Sequence, residues 1–217
     1  MRVRIKVCGI TTPEAAVAAS ELGVDAVGFV FFADSPRHLE ADRAVELASH
    51  LSPLVTRVAV FCHPRSSEIA EVISRFRPQV IQAEPAAEVS AAIPSHILHL
   101  PVFHDGSDLR ERVAKFAAHA GNDTTVVLEA SGRGGRGLAP NWTRAAEVAR
   151  SVRLVLAGGL TADNVAEAIR SVHPYAVDVS SGVETKPGVK DPRLIEEFVT
   201  AVRDARDHPA AKAETSP

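Results

Sequence analysis

Cys8 is the residue of this sequence whose type and position best suit it to chemistry. It ends the apolar-rich run Val3–Cys8 and is followed directly by Gly9. The run is predicted to form a short strand, and Thr12 with Pro13 to open a helix. A thiol at the C-terminal tip of a strand, beside a glycine that lets the backbone approach a ligand, lies where a parallel α/β barrel holds its active site. Cys8 is therefore a candidate base or nucleophile, with an inert buried cysteine as the alternative.

Three charged side chains are predicted to lie near this thiol. Strand residues two apart share a face, so Lys6 points the same way as Cys8. Glu129 ends the predicted sixth strand, and Asp178 lies in the predicted eighth. A thiol, a lysine and two carboxylates could thus converge at the top of one barrel. For Lys6 we favour a structural role, neutralising Asp178, because buried charges need partners; for Asp178 a structural and a chemical role both remain open.

Two glycine-containing segments are candidates for a phosphate site. Gly158 and Gly159 follow the predicted seventh strand and precede a helix. Ser180 ends the predicted eighth strand, and Ser181 and Gly182 follow it. Glycine permits close backbone approach, and amides at a helix N-terminus bind phosphate. Either segment alone could be an ordinary turn. Both together occupy the loops that form the common phosphate site of such barrels.

Composition and charge exclude several classes of protein. The chain has 217 residues, 46% of them hydrophobic and 24% charged, which is enough apolar material for one large core. With a net charge of −3, the chain lacks the excess of positive charge that is typical of proteins binding nucleic acid or an anionic membrane. The two cysteines imply no disulfide framework, and neither a signal peptide nor an apolar run of membrane-spanning length is found. We expect a cytoplasmic monomer whose partner is a small molecule.

Strand and helix patterns alternate eight times along the chain, which predicts a parallel sheet. Strands are predicted at Arg2–Cys8, Ala26–Phe31, Val55–Phe61, Val80–Gln82, Ile97–Val102, Thr125–Glu129, Arg153–Ala157 and Tyr175–Ser180. Helices are predicted at Pro13–Leu22, Ala41–Leu51, Ser66–Phe76, Pro85–Ile93, Leu109–Ala120, Trp142–Val152, Ala162–Val172 and Pro192–Ala205, with Pro85–Ile93 the weakest pattern. Eight such units favour a single (β/α)8 TIM barrel of the α/β class over an open sheet. The barrel is expected to span residues 1–205, and residues 206–217 are expected to fray.

Short motifs throughout the chain resemble one family. They are Lys6-Val7-Cys8-Gly9-Ile10-Thr11, Gly28-Phe29-Val30-Phe31 with Ser35-Pro36-Arg37, Leu156-Ala157-Gly158-Gly159-Leu160, Asn164-Val165, and Val177-Asp178-Val179-Ser180-Ser181-Gly182-Val183-Glu184 with Pro187-Gly188-Val189-Lys190-Asp191. In order and spacing, up to about Val202, they resemble the phosphoribosylanthranilate isomerases of tryptophan biosynthesis. The cysteine of the first strand, Ser-Pro-Arg after the second and Ser-Ser-Gly-Val-Glu at the eighth form a specific set.

The resemblance implies an isomerase that performs an Amadori rearrangement. Its substrate would be N-(5'-phosphoribosyl)anthranilate and its product 1-(2-carboxyphenylamino)-1-deoxyribulose 5-phosphate, with no metal or organic cofactor. By resemblance, Cys8 is the general base, a carboxylate at the sixth strand is the general acid, and Arg37 holds the anthranilate carboxylate. The phosphate would be received by backbone amides of the two glycine loops described above.

The chain departs from the family pattern at three places. The sixth-strand acid is Glu129 where the family has Asp, which extends the carboxyl by roughly 1.5 Å, a distance that matters for an acid. At the fourth strand, the expected Gln-Leu-His-Gly is Gln82-Ala83-Glu84-Pro85, in which only the pocket residue Gln82 is kept. The segment 131–137, predicted as a loop over the site, carries Arg136 where a small Thr is usual. These departures bear on efficiency and substrate choice.

Other interpretations remain open. A non-catalytic or altered-substrate phosphoribosyl-ligand barrel is the main alternative, although phosphate binding alone needs neither Cys8 nor Arg37. A sister isomerase acting on an aminoimidazole carboxamide ribotide is another, but those barrels use paired Asp. Cys62 and His63 are neighbours after the third strand; since adjacent side chains on an extended segment diverge, we expect an ordinary loop there.

Overall fold

Parallel strands and helices alternate along the chain, as the sequence predicts. The computed structural model describes residues 2–120, 124–130 and 138–207. The strands are β1 (Arg4–Cys8), β2 (Ala26–Val30), β3 (Thr56–Val60), β4 (Val80–Ala83), β5 (Leu98–His104), β6 (Thr125–Glu129), β7 (Arg153–Ala157) and β8 (Ala176–Val179). Each pairs with the next in parallel, and β1 also pairs with β8, so that the sheet closes into a barrel. The predicted (β/α)8 barrel is confirmed.

Helices follow each strand and cover the outside of the barrel. They are α1 (Pro13–Glu21), α2 (Ala41–Ala48), α3 (Ser66–Phe76), α4 (Ala87–Ala92), α5 (Leu109–Ala120), α6 (Trp142–Ala149), α7 (Ala162–Val172) and α8 (Pro192–Asp207). Side-chain caps fix several starts, since the Thr12 side chain accepts from the Ala15 amide and that of Asn141 from the Arg144 amide. The weakest predicted helix is also the shortest, with six residues. None of the helices in the described ranges is long and apolar enough to span a membrane.

The apolar core has two layers. The larger one lies between the sheet and the helices and includes Phe29, Phe76 and Phe198. A smaller one fills the barrel interior with five buried side chains, namely Val102, Val127, Val155, Ala157 and Ala176. Strand residues two apart share a face. The residues two positions after these interior residues lie at the strand tips, and their side chains therefore point into the mouth of the barrel.

The segment after β8 contains structure that the sequence patterns did not predict. A 3-10 helix (Ser181–Val183) leads into an antiparallel hairpin of β9 (Glu184–Lys186) and β10 (Val189–Lys190). The hairpin belongs to a segment expected to be a loop, and its strands of three and two residues are too short to show a period. At the other end of this region, α8 continues to Asp207, two residues into the stretch expected to fray. Residues 208–217 lie outside the described ranges.

Candidate active site

A cavity of about 1030 Å³ opens at the C-terminal ends of the barrel strands. It is lined by nearly all of the residues that the sequence singled out: Cys8, Arg37, Gln82, Glu129, Gly158, Gly159, Asp178, Ser180 and Ser181. Gly182 is not part of the lining, although the residues before it are. The barrel therefore brings the predicted site residues together from six of its eight strand ends and the loops that follow them.

Cys8 lies at the bottom of this cavity. Its side chain is buried at the tip of β1, and its carbonyl accepts a hydrogen bond of 3.0 Å from the Ser180 hydroxyl. The thiol fits because its neighbour on β2 is Gly28, where an added Cβ would lie only 2.8 Å from Sγ. Burial raises the pKa of the Cys8 thiol, while the positive charges of Lys6 and Lys190 act in the opposite direction.

Lys6 and Asp178 form a buried ion pair below the thiol. Their Nζ and Oδ2 atoms are 2.7 Å apart, and both side chains are about 5% exposed or less. Burial alone would lower the pKa of Lys6, but the carboxylate of Asp178 and the thiol of Cys8 raise it above the usual range. The structural role favoured for Lys6 is thus supported by the geometry. The second carboxylate oxygen of Asp178 is buried without a partner among the described residues, as is Oε1 of Gln82.

Glu129 ends β6 and contributes its carboxyl to the same cavity. Burial, together with the negative charge of Asp178, raises the pKa of Glu129, and His104 and Lys6 oppose the rise. His104 is the register partner of Glu129 on β5. A carboxyl whose pKa is raised by burial is part-protonated nearer neutral pH than an exposed one, which suits a general acid.

The guanidinium of Arg37 is held by an ion pair with another side chain of the protein. Its Nε and Nη2 atoms each donate a hydrogen bond of 2.7 Å to the carboxylate of Glu184 on β9, and Lys190 donates to the same carboxylate at 2.9 Å. Burial alone would raise the pKa of Glu184, but Arg37 and Lys190 lower it below the ordinary value. This two-point ion pair uses Nε and Nη2 and does not involve Nη1.

The two glycine loops are packed against each other. Gly158 has a φ of 90°, in the region that only glycine adopts readily. At Gly182 an added Cβ would lie 1.9 Å from the carbonyl oxygen of Leu160, so the loop after β8 runs directly against the loop after β7. The side chain of Asn164 donates to the carbonyl of Gly159 at 2.8 Å and fixes the first turn of α7 to that loop.

A group of polar residues on β3, β4 and β5 was not predicted as a site. Glu84 follows β4, and its carboxylate lies 3.8 Å from His63 Nδ1 and 3.9 Å from His104 Nε2. Burial alone would raise the pKa of Glu84, but His104 and the His63 amide lower it to about 2. The pKa of His104 is raised in turn, mainly by Glu84. The sequence signal for Glu84 was its departure from the fourth-strand motif. The position of His104 at a strand end was missed because β5 ends two residues later than predicted.

The loop expected at Cys62 and His63 is present, but the expectation that their side chains diverge is wrong. His63 has a φ of 48°, so the chain is not extended at this point. Donor atoms of Cys62, His63 and Glu84 all lie within 4.8 Å of one another. The segment 131–137, with Arg133 and Arg136, lies outside the described residues.

Comparisons with known proteins agree with this architecture. The family model for N-(5'phosphoribosyl)anthranilate (PRA) isomerase matches residues 5–201. Among curated relatives, the N-(5'-phosphoribosyl)anthranilate isomerase of Ralstonia nicotianae is 39% identical, over 94% of each chain. That of Pseudomonas paraeruginosa is 40% identical over 93% of this chain and 95% of the relative.

Solved structures give the same result. The phosphoribosyl anthranilate isomerase of Thermotoga maritima superimposes with a TM-score of 0.81 at 34% identity, covering 93% of this chain and 99% of that one. A phosphoribosyl anthranilate isomerase in complex with reduced 1-(o-carboxyphenylamino)-1-deoxyribulose 5-phosphate gives 0.78 at 34% identity, with the same coverage. The chain belongs to the N-(5'-phosphoribosyl)anthranilate isomerase family.

Proposed function

We propose that Cys8 is the general base and Glu129 the general acid with which this isomerase converts N-(5'-phosphoribosyl)anthranilate into 1-(2-carboxyphenylamino)-1-deoxyribulose 5-phosphate. The observation that carries the assignment is that a buried thiol and a buried carboxyl line one cavity at the tips of β1 and β6. Glu129 is near enough to Cys8 for its charge to raise the pKa of the thiol.

The rearrangement requires one proton to be donated to the substrate and another to be removed from it. Glu129 protonates the furanose oxygen as the C1'–O bond breaks, which leaves an open chain with a positively charged Schiff base. Cys8 then removes the C2' proton, and the electron pair of that C–H bond neutralises the nitrogen. The resulting enolamine tautomerises to the ketone. The raised pKa of Glu129 keeps part of the carboxyl protonated for the first step, while Lys6 and Lys190 supply the charge that favours a Cys8 thiolate for the second.

The substrate is oriented by both ends and by its middle. Backbone amides of Gly158, Gly159, Ser181 and Gly182 receive the phosphate, next to the N-terminus of α7. The free edge of the Arg37 guanidinium receives the anthranilate carboxylate. Ribose hydroxyls donate to the buried acceptors of Asp178 and Gln82 that have no partner among the described residues.

We also propose that the enzyme is a cytoplasmic monomer that binds no nucleic acid. The net charge of −3 and the presence of only two cysteines support this proposal. We assign residues 1–205 to the barrel domain, with α8 continuing two residues further to Asp207.

An activity assay on purified protein tests the function. Substrate generated in the cuvette carries the fluorescence of an N-substituted anthranilate, and turnover is seen as its loss. We expect steady loss that depends on enzyme concentration. Tight binding of the substrate without any turnover would instead favour the non-catalytic phosphoribosyl-ligand barrel.

A further inference from the structure

Three side chains that commonly bind transition metals meet on the wall of the cavity formed by β3 and β4. Cys62 and His63 follow the end of β3, and Glu84 follows the end of β4. The two strands are neighbours in register, with Val60 opposite Gln82. The carboxyl ends of the strands therefore deliver a thiol, an imidazole and a carboxylate to the same edge of the barrel.

The distances between the side-chain donor atoms of this group are compatible with a metal ion. His63 Nδ1 lies 3.8 Å from Glu84 Oε2, which is too long for a hydrogen bond. Donor atoms around a tetrahedral zinc ion are roughly 3.3–3.8 Å apart, given bond lengths of about 2.0–2.3 Å. All three donors lie within 4.8 Å of one another. A contraction of at most about 1.5 Å at each pair would thus complete the geometry.

The carboxylate of this group is already held in place. Its Oε2 atom accepts a hydrogen bond of 2.9 Å from the His63 amide, and His104 Nε2 lies 3.9 Å from its Oε1 atom. His104 is in turn tied to the Ala130 carbonyl through Nδ1 at 3.3 Å. Outer contacts of this kind orient the ligands of metal sites.

We propose that Cys62, His63 and Glu84 bind one zinc ion, or another divalent transition metal that accepts mixed sulfur, nitrogen and oxygen ligands. Three protein ligands leave the fourth position open toward the cavity. None of the three belongs to the proposed acid–base pair. The metal site is therefore distinct from that pair, although it lines the same cavity.

Cobalt(II) is the probe that tests this site, because a thiolate ligand gives it a charge-transfer absorption in the near ultraviolet. Protein freed of metal with a chelator and kept reduced is titrated with cobalt. We expect one equivalent to bind with that absorption and zinc to displace it. Cys62→Ser should abolish the band, whereas Cys8→Ser should keep it, which identifies the cysteine.

Matched variants identify the other ligands. Glu84→Gln and His63→Ala should each weaken cobalt binding by at least about tenfold, while His96→Ala, at an exposed histidine outside the group, should leave it unchanged. Circular dichroism confirms that each variant is folded. No charge-transfer band in the wild type at millimolar cobalt, or a band that survives Cys62→Ser, would overturn the proposal.

Discussion

At the scale of the residue, burial affects both proposed proton-transfer groups, Cys8 and Glu129. Burial raises the pKa of both, which helps Glu129 to keep the proton that it donates but opposes the ionisation that Cys8 needs. The active form has a protonated Glu129 and an ionised Cys8, so the pair as a whole holds one proton. The rate should therefore fall at low pH, where both groups are protonated, and at high pH, where both are ionised.

Replacing Cys8 by serine tests the base. The hydroxyl has a similar shape, but its pKa is several units higher, so the variant lacks an accessible anion. We expect kcat to fall by about 10² to 10⁴, the usual contribution of a general base. Affinity for a non-reacting product analogue and the melting temperature should change little. If Cys8→Ser turned over at the wild-type rate, the assignment would be wrong.

Replacing Glu129 tests the acid. Glu129→Gln keeps the size of the side chain and removes the transferable proton, so kcat should fall by about 10² to 10⁴. Glu129→Asp keeps the proton on a carboxyl shorter by roughly 1.5 Å, and its rate reports whether the neighbouring backbone is adapted to the longer side chain. Full activity in Glu129→Gln would move the role of acid to another group, with Asp178 the next to substitute.

The loops after β7 and β8 act as one unit at the scale of the element, because Gly182 brings their backbones into contact. In Gly182→Ala the new methyl would overlap the Leu160 carbonyl, at 1.9 Å in the present backbone, and must push the loops apart. We expect KM for the phosphorylated substrate to rise at least tenfold and stability to fall by about 1–3 kcal/mol.

A second glycine substitution provides the control for this prediction. At Gly106, after β5, an added Cβ would lie 3.1 Å from the Oδ1 atom of Asp108, a side chain that can move. Gly106→Ala should therefore retain the wild-type KM. Equal KM values for Gly182→Ala and the wild type, measured by steady-state kinetics, would show that these loops do not bind the phosphate.

The hairpin after β8 and the segment after β2 are joined through Arg37 and Glu184. Arg37→Ala leaves a buried carboxylate with Lys190 as its remaining partner, so we expect a loss of about 2–4 kcal/mol in the free energy of unfolding. Binding of an anthranilate-bearing ligand should weaken by a further 1.5–3 kcal/mol or so, whereas inorganic phosphate should bind as before.

Glu184→Gln separates these two effects. It removes the negative charge but retains the guanidinium, so it should lose stability while the anthranilate contact persists. Chemical denaturation and calorimetric titration measure the two quantities independently. A loss of ligand affinity in Glu184→Gln as large as in Arg37→Ala would mean that Arg37 acts by bracing the hairpin.

The alternation of apolar strands and helices was sufficient to predict the barrel, and strand parity was sufficient to bring Cys8, Glu129 and Asp178 to one cavity. Two features could not be predicted from such patterns. The hairpin strands are too short to carry a period, so the partner of Arg37 was missed. The contacts of Glu84 with residues 21 and 20 positions away depend on strand register, which a single sequence does not encode locally.

At the scale of the whole molecule, Glu84 should shape the dependence of stability on pH. Its pKa is about 2 in the folded protein against an ordinary 4.5. The folded state therefore binds this proton less readily than the unfolded state does. The resulting stabilisation is fully present above pH 4.5 and is lost as the pH falls toward 2. It amounts to roughly 1–3 kcal/mol.

The matching variant is Glu84→Gln, whose amide does not titrate in this range. Urea unfolding in chelator-containing buffers from pH 2 to 6 should show a flatter acid limb for the variant than for the wild type. Parallel curves across this range would indicate that Glu84 is no better stabilised as an anion in the fold than in the unfolded chain.

Two of the buried ion pairs at the barrel mouth connect early parts of the chain to late ones. Lys6 and Asp178 are 172 positions apart, and Arg37 and Glu184 are 147 apart. During synthesis the N-terminal half of the barrel emerges first, at about 5–20 residues per second. Its two buried cations then have no partner until the eighth strand and the hairpin leave the ribosome. An unpaired charge is costly to bury, so the nascent half-barrel should remain open and hydrated around Lys6 and Arg37. The last quarter of translation is thus the step that permits the ring to close.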